Sequence, residues 1–326
     1  MKKYISYNKN LEEEATAFDR QIIERTKDGH IPDISNTQNC DYFYNNSWRR
    51  KYYAELDYGE QRDLVLNSLR KHLGQKPEEI KILEVGSGPG YMSLELARKG
   101  YRVTGLELSS ESIDIAIATA EKYSPGIIGS NLKYVCDDFF KFSENQSNEF
   151  DVILFIGSMH HFRLKEKIDL SCNKVLKQNG LLMCHEPVRD CVTKRNAILN
   201  LLITTLLAAS GSYFKSLEKE YEKCIPKNIE RIFNKLKYEL EDGEKVQSVN
   251  DNEIGFSEMY PMLKKKYTEI DFQWRYGLFH EIIGGIRLAT EDDEANLAKF
   301  IRDIDQVMCR ENIVDPTEFF FVGKKK

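Results

Sequence analysis

The chain has 326 residues, 41% of them hydrophobic and 11% aromatic, enough to bury the core of one large domain or two ordinary ones. A formal charge of -5 lacks the basic footprint that neutralises phosphates, which argues against nucleic acid as the main partner. Seven scattered cysteines form no CxxC pair and match no histidine spacing, so no metal site is expected and the thiols read as those of a reduced, cytoplasmic protein.

The first residues, Met1 to Tyr7, carry two lysines but no apolar run, so they do not read as a secretory signal. From there to about residue 75 the sequence is polar, aromatic-rich and helical in pattern. Leu11, Ala15, Phe18 and Ile22 are spaced for one helix face, and a second helix is expected over Gly59 to Leu73. Aromatics alternate with basic groups around Tyr42, Tyr44, Trp48 and Tyr52. A base-stacking surface is one reading of such a cluster, but packing of a helical cap on the next domain is the preferred one.

A strand and helix rhythm follows. Strands are expected at Lys81 to Val85, Arg102 to Leu106, Leu132 to Cys136, Asp151 to Phe155 and Gly180 to His185. Helices are expected at Tyr91 to Lys99, Ser110 to Lys122 and Lys165 to Leu176, with Asn179-Gly180 as a stop before the next strand. Alternation of this kind predicts a mostly parallel sheet with helices on both faces.

Beyond Pro187 the rhythm fails for about eighty residues, where helical segments Lys194 to Ala209, Lys215 to Glu222 and Asn228 to Leu240 succeed one another. The longest apolar stretch of the chain, Ala197 to Ala209, is too short to span a bilayer and reads as a buried helix. Its basic flanks, Lys194-Arg195 and Lys215, leave an alternative in which it rests on a membrane surface or covers a greasy substrate. Strands return at Thr268 to Trp274 and Glu318 to Val322, on either side of a helical hairpin that includes Asp292 to Val307. The division that results is a cap over 1–75, a core over 76–187, a helical insert over 188–267, and closing strands over 268–326.

The most informative segment is Glu84-Val85-Gly86-Ser87-Gly88-Pro89-Gly90-Tyr91, where an apolar strand turns into a helix. A tight turn that touches a ligand through its backbone needs residues that tolerate positive φ and lack a Cβ. A dinucleotide loop, GxGxxG, would want a third glycine where Tyr91 stands; here it arrives one residue early, at Gly90. That spacing disfavours a nucleotide-dependent oxidoreductase. The segment resembles the E/DxGxGxG motif of class I S-adenosylmethionine-dependent methyltransferases, and the resemblance extends over about residues 76–187.

The resemblance implies a Rossmann-like, doubly wound α/β fold with a seven-stranded sheet, mostly parallel with its last strand antiparallel, carrying the helical cap and a helical lid insert. It implies that S-adenosylmethionine binds along Glu84, Gly86, Ser87, Gly88 and Gly90, leaving S-adenosylhomocysteine as product. Glu107, followed by Leu108, fits the acid that holds the ribose hydroxyls. The strand end Cys136-Asp137-Asp138-Phe139 fits the adenine site; either aspartate is placed to accept from the amino group, with alignment favouring Asp137 and setting Asp138 and Phe139 beside the ring. Ile156 and its successors fit the motif beneath the cofactor, and Val175 to Met183 matches the fifth.

The acceptor is expected to be a small organic metabolite, methylated on oxygen, nitrogen or carbon. His161 or His185, together with Glu186, would face the substrate as base or orienting group, with a structural role for the His160-His161 pair as the competing reading; His280 ranks below them. The insert is expected to close over the acceptor and the cap aromatics to close the other side. A non-catalytic S-adenosylmethionine-binding or scaffold protein is the rival from another class. The sequence leaves the oligomeric state open.

Overall fold

The computed structural model describes residues 2–45, 50–162, 164–217, 224–238, 240–241, 244–245, 248, 250–251 and 253–326; side chains at 2–9, 44–45, 165, 240–241 and 244–245 are outside that description. The chain begins with a long helix, α1 (Lys2–Lys27), whose last turn carries Arg25 and Lys27 where cations suit the helix dipole. Short turns lead to α2 (Glu60–His72), which buries Val65, Leu66 and Leu69.

The alternating region then forms β1 (Lys81–Val85), α3 (Tyr91–Arg98), β2 (Arg102–Glu107), α4 (Ser110–Tyr123), β3 (Leu132–Cys136), α5 (Phe139–Glu144), β4 (Phe150–Ile156), α6 (Lys165–Val175) and β5 (Leu176–Pro187). After β5 come α7 (Lys194–Ala209) and α8 (Ile225–Tyr238), a two-residue strand pair at Leu240–Glu241 and Glu244–Lys245, and α9 (Phe256–Lys266). The chain closes with β6 (Tyr267–Trp274), α10 (Glu291–Arg310) and β7 (Glu318–Lys325).

The seven long strands make one sheet in the order β3-β2-β1-β4-β5-β7-β6. The first five pair in parallel, and β7 runs antiparallel to both β5 and β6. The expected doubly wound sheet with an antiparallel last strand is therefore the observed one.

Both faces of the sheet are buried, and the closing strand shows it residue by residue. Phe319 and Phe321 enter one core with Leu182 and Cys184, while Phe320 and Val322 enter the opposite core with Leu181 and Met183. A period of two on strands covered on both sides gives the near-continuous apolar runs seen in the sequence.

Three details depart from the sequence expectations. The fifth strand starts at Leu176, and Asn179, at φ 63°, lies in a register shift against β4 instead of ending a helix. Helix α9 was not foreseen, because Pro261 inside it and three terminal lysines blur its period. Of the helix expected over Lys215 to Glu222, residues 215–217 are non-helical and 218–222 lie outside the described residues.

Candidate cofactor and active site

The glycine turn sits at the carboxyl end of β1. Gly86, Gly88 and Gly90 all have positive φ (73°, 52° and 82°), conformations that side chains with a Cβ rarely adopt. At Gly86 a Cβ would also collide with the Ser158 side chain, and at Gly90 with the Tyr134 ring. The turn is pinned to β2 by Gly86 N and Ser87 N, which both donate to Leu106 O at 2.8 and 3.0 Å. It opens on a cavity of about 280 Å³.

Glu107, at the end of β2, reaches across to the same turn. One of its oxygens accepts from Gly88 N at 2.9 Å, and the other from Leu108 N and Ser109 N at 2.7 and 2.9 Å. Three backbone donors stabilise the carboxylate, yet burial dominates and its pKa stands above the usual value. Glu84, one strand over, is buried with Ser93 Oγ as its donor, and burial pushes its pKa up to about 8.

At the end of β3, Asp138 caps α5 by accepting from Lys141 N, while Asp137 pairs with Lys141 Nζ at 3.0 Å. Both aspartates line the cavity with Phe139 and Phe140. At the end of β4, Ile156, Gly157 and Ser158 form its floor, and Ser158 Oγ donates to Val85 O at 2.6 Å. Every cofactor residue expected from the sequence except Gly90 borders this one cavity; Gly90 instead supports the turn, its carbonyl accepting from Tyr134 Oη at 3.0 Å.

The catalytic candidates divide. His161 lines the cavity, whereas His185, Glu186 and His280 do not. Glu186 lies beneath the floor: one oxygen accepts from Ser158 N and Met159 N, and the other holds His160 Nδ1 at 2.8 Å. Asp251 lies 3.6 Å from the other nitrogen of that ring. Burial opposes charge on His160, but Asp251 and Glu186 outweigh it and push the pKa up to about 9. His160 is thus a structural imidazolium. His160, His161 and Asp251 bring ligand-type atoms within 4.8 Å of one another, but a cation there would have to displace the His160 proton that already balances this charge.

His185 and His280 instead flank Glu318 on β7, at 3.1 and 3.0 Å, in a separate, partly buried cluster. Although burial works against it, the two imidazoles hold the Glu318 carboxyl down to about 2.

The roof of the cavity is α1, which the sequence did not assign to the site. Asn10, Leu11, Glu14, Phe18, Gln21, Ile22 and Arg25 face inward, so the apolar face read from the sequence covers a ligand cavity. Glu14 interrupts that face and is only 3% exposed. Its carboxylate lies 3.0 Å from His161 Nδ1 and accepts from Ser248 Oγ and Asn250 N at 2.7 and 2.9 Å. A charged residue within an apolar helical face was the available signal. Five residues on, Asp19 accepts from Ser109 Oγ at 2.6 Å, tying α1 to the start of α4.

From the described residues of the insert only Asn250 reaches the cavity, so α1 rather than α7 is its cover. The cap aromatics are elsewhere too. Tyr42 packs with Cys40, Phe43 and Ala54, and Tyr52 donates to Ile283 O in another core. Trp48 and the Tyr44 side chain lie outside the described residues.

A glycine turn between parallel strands, with acids at three successive strand ends around one cavity, defines an α/β protein built to hold a nucleoside-like ligand at its sheet edge. Residues 82–180 match a family model described as a methyltransferase domain. Over 126 residues the chain is 32% identical to the ubiquinone biosynthesis O-methyltransferase of Actinobacillus pleuropneumoniae serotype 7 (strain AP76), a match covering 36% of this chain and 52% of that protein. Over 100 residues it is 30% identical to the protein of the same name from Idiomarina loihiensis, covering 31% of this chain and 39% of that one. The chain thus spans about half or less of the length of these curated relatives. A structure from Galdieria sulphuraria, described as a candidate sarcosine dimethylglycine methyltransferase, shares the fold at TM-score 0.51 and 13% identity, over 95% of this chain and 98% of its own. Over residues 82–180 the chain therefore matches a methyltransferase domain, in keeping with its resemblance to class I S-adenosylmethionine-dependent methyltransferases.

Proposed function

We propose that this protein transfers a methyl group from S-adenosylmethionine to oxygen, nitrogen or carbon of a small organic acceptor. The carrying observation is that Glu84, Glu107 and Asp137, on three neighbouring strands, all border the cavity beside the glycine turn. Such a site suits a ligand with a diol, an exocyclic amine and a cationic end. Glu107 would take the ribose hydroxyls, Asp137 the adenine amino group with Phe139 beside the ring, and the turn with Glu84 the methionine portion. When bound, the cofactor supplies the activated methyl group.

The chain's own contribution is alignment, exclusion of water and removal of a proton where the acceptor carries one. His161 is suited to the last task. Burial, and then the adjacent His160 imidazolium, lower its pKa, so it is neutral at pH 7. With Nδ1–H donating to Glu14, its Nε2 keeps a lone pair to accept a proton. His185 and Glu186, held in other contacts, would act only through the frame around the site.

Isothermal titration with S-adenosylmethionine, S-adenosylhomocysteine and NAD, followed by methyl transfer into a metabolite extract, tests the proposal. Tight NAD binding with no response to the sulfur ligands would overturn the cofactor assignment. Binding of the sulfur ligands without turnover into any fraction would favour a non-catalytic S-adenosylmethionine-binding role.

A further inference from the structure

Helix α7 is apolar around most of its circumference, and only part of that surface is used by the fold. Leu199, Ile203 and Leu207 pack against the core formed by Tyr276, Phe279, Ile282 and neighbours. On the other side Ile198, Leu202 and Leu206 are 48%, 53% and 61% exposed. Their spacing of four places them in one row along the helix. Ile225, at the start of the adjoining α8, is exposed as well. A contiguous exposed apolar surface on a folded protein marks an interaction site more often than a solvated face.

Charge identifies the occupant. Residues 194–238 hold nine Lys and Arg against four Glu, a formal +5, in a chain whose total is -5. Lys194 and Arg195 begin the exposed row, Lys215 follows its end, and Lys227, Arg231 and Lys235 are exposed on α8. The two helices are joined where Lys194 Nζ meets Glu230 at 2.6 Å, which brings α8 and its cations alongside α7, while Arg195 pairs with Asp315 and Lys235 lies 3.9 Å from Glu281.

We propose that α7 and α8 together form a docking face for an anionic lipid bilayer. An apolar row rimmed by lysine and arginine has the chemistry of a helix lying in the plane of the headgroups. A second copy of this chain fits poorly, because a two-fold contact would set one basic stretch against another. No helix among the described residues is long and apolar enough to cross a membrane, so the contact is a peripheral one. None of the residues named here lines the cofactor cavity.

Sedimentation of the full chain with vesicles tests this. Binding is expected to phosphatidylcholine vesicles containing phosphatidylglycerol, to fall as salt is raised, and to be weak on phosphatidylcholine alone. The double variants Leu202→Asp/Leu206→Asp and Lys227→Glu/Arg231→Glu should each weaken it about tenfold or more while still binding S-adenosylhomocysteine. Phe300→Asp is the control: Phe300 is exposed on α10, but that helix opens with Glu291, Asp292, Asp293 and Glu294, which an anionic surface repels. No binding to the anionic vesicles, equal binding to neutral ones, or a dimer in solution that Leu202→Asp dissolves would each overturn the proposal.

Discussion

At the scale of single residues, the proposed base and its partner make the sharpest test. His161→Gln should lower kcat about 10²-fold or more for an acceptor that must lose a proton, and leave cofactor affinity nearly unchanged. Glu14→Gln should lower kcat less. The Glu14 carboxylate raises the His161 pKa, opposing burial and His160, so its removal should move the acid limb of the pH profile to lower pH. A role confined to folding would leave that limb in place. Glu107→Ala should weaken cofactor binding by more than about tenfold, because it removes the proposed charge-assisted bonds to the ribose and leaves Gly88 N without its acceptor; unchanged affinity in a titration would end the ribose assignment.

His160 makes a residue-scale prediction about stability. Its folded pKa of about 9 exceeds the ordinary histidine value of 6.5, so the stabilising contribution is fully present below pH 6.5 and is lost as pH rises through about 9. Thermal melts across that window should show a decline in the wild type that is absent in His160→Gln. An equal slope in both would show that His160 is not the group responsible.

At the scale of elements, α1 is the cover of the site. Its inner face roofs the cavity, and Glu14 and Asp19 are among the groups that tie it to the rest of the protein. Asp19→Ala breaks the tie to Ser109 without touching the floor of the site. S-adenosylhomocysteine should then dissociate several times faster in stopped-flow displacement, with little change in melting temperature. Helix α10 carries a different kind of joint. Buried Asp305 accepts from Gly277 N, Leu278 N and Phe279 N at 2.9 to 3.1 Å. Asp305→Ala leaves those donors unsatisfied and should cost about 1–3 kcal/mol in urea unfolding, with cofactor affinity retained.

At the scale of the whole molecule, strand order brings the acids together. β3, β2 and β1 are neighbours and parallel, so residues at their carboxyl ends share one edge although 53 positions separate Glu84 from Asp137. The net charge is unevenly spread as well, since the stretch holding α7 and α8 carries +5 against the chain's -5.

Local sequence was sufficient for the sheet and for the residues that border the cavity at its edge. Strand and helix periods, the early third glycine and the acids at strand ends are each encoded within a few residues, because backbone conformation at Gly86 or Gly90 depends on the residue itself. Other features depend on contacts between distant positions, which no local pattern encodes. The partnership of Glu14 with His161 joins residues 147 apart in sequence, and that of His280 with Glu318 forms only after β7 inserts between β5 and β6. His160 and His161 are adjacent and identical in type. Tertiary structure alone set one over Glu186 as a buried cation and turned the other, lowered in pKa, toward the cavity, because the carboxylates that decide their charge come from β5, the insert and α1.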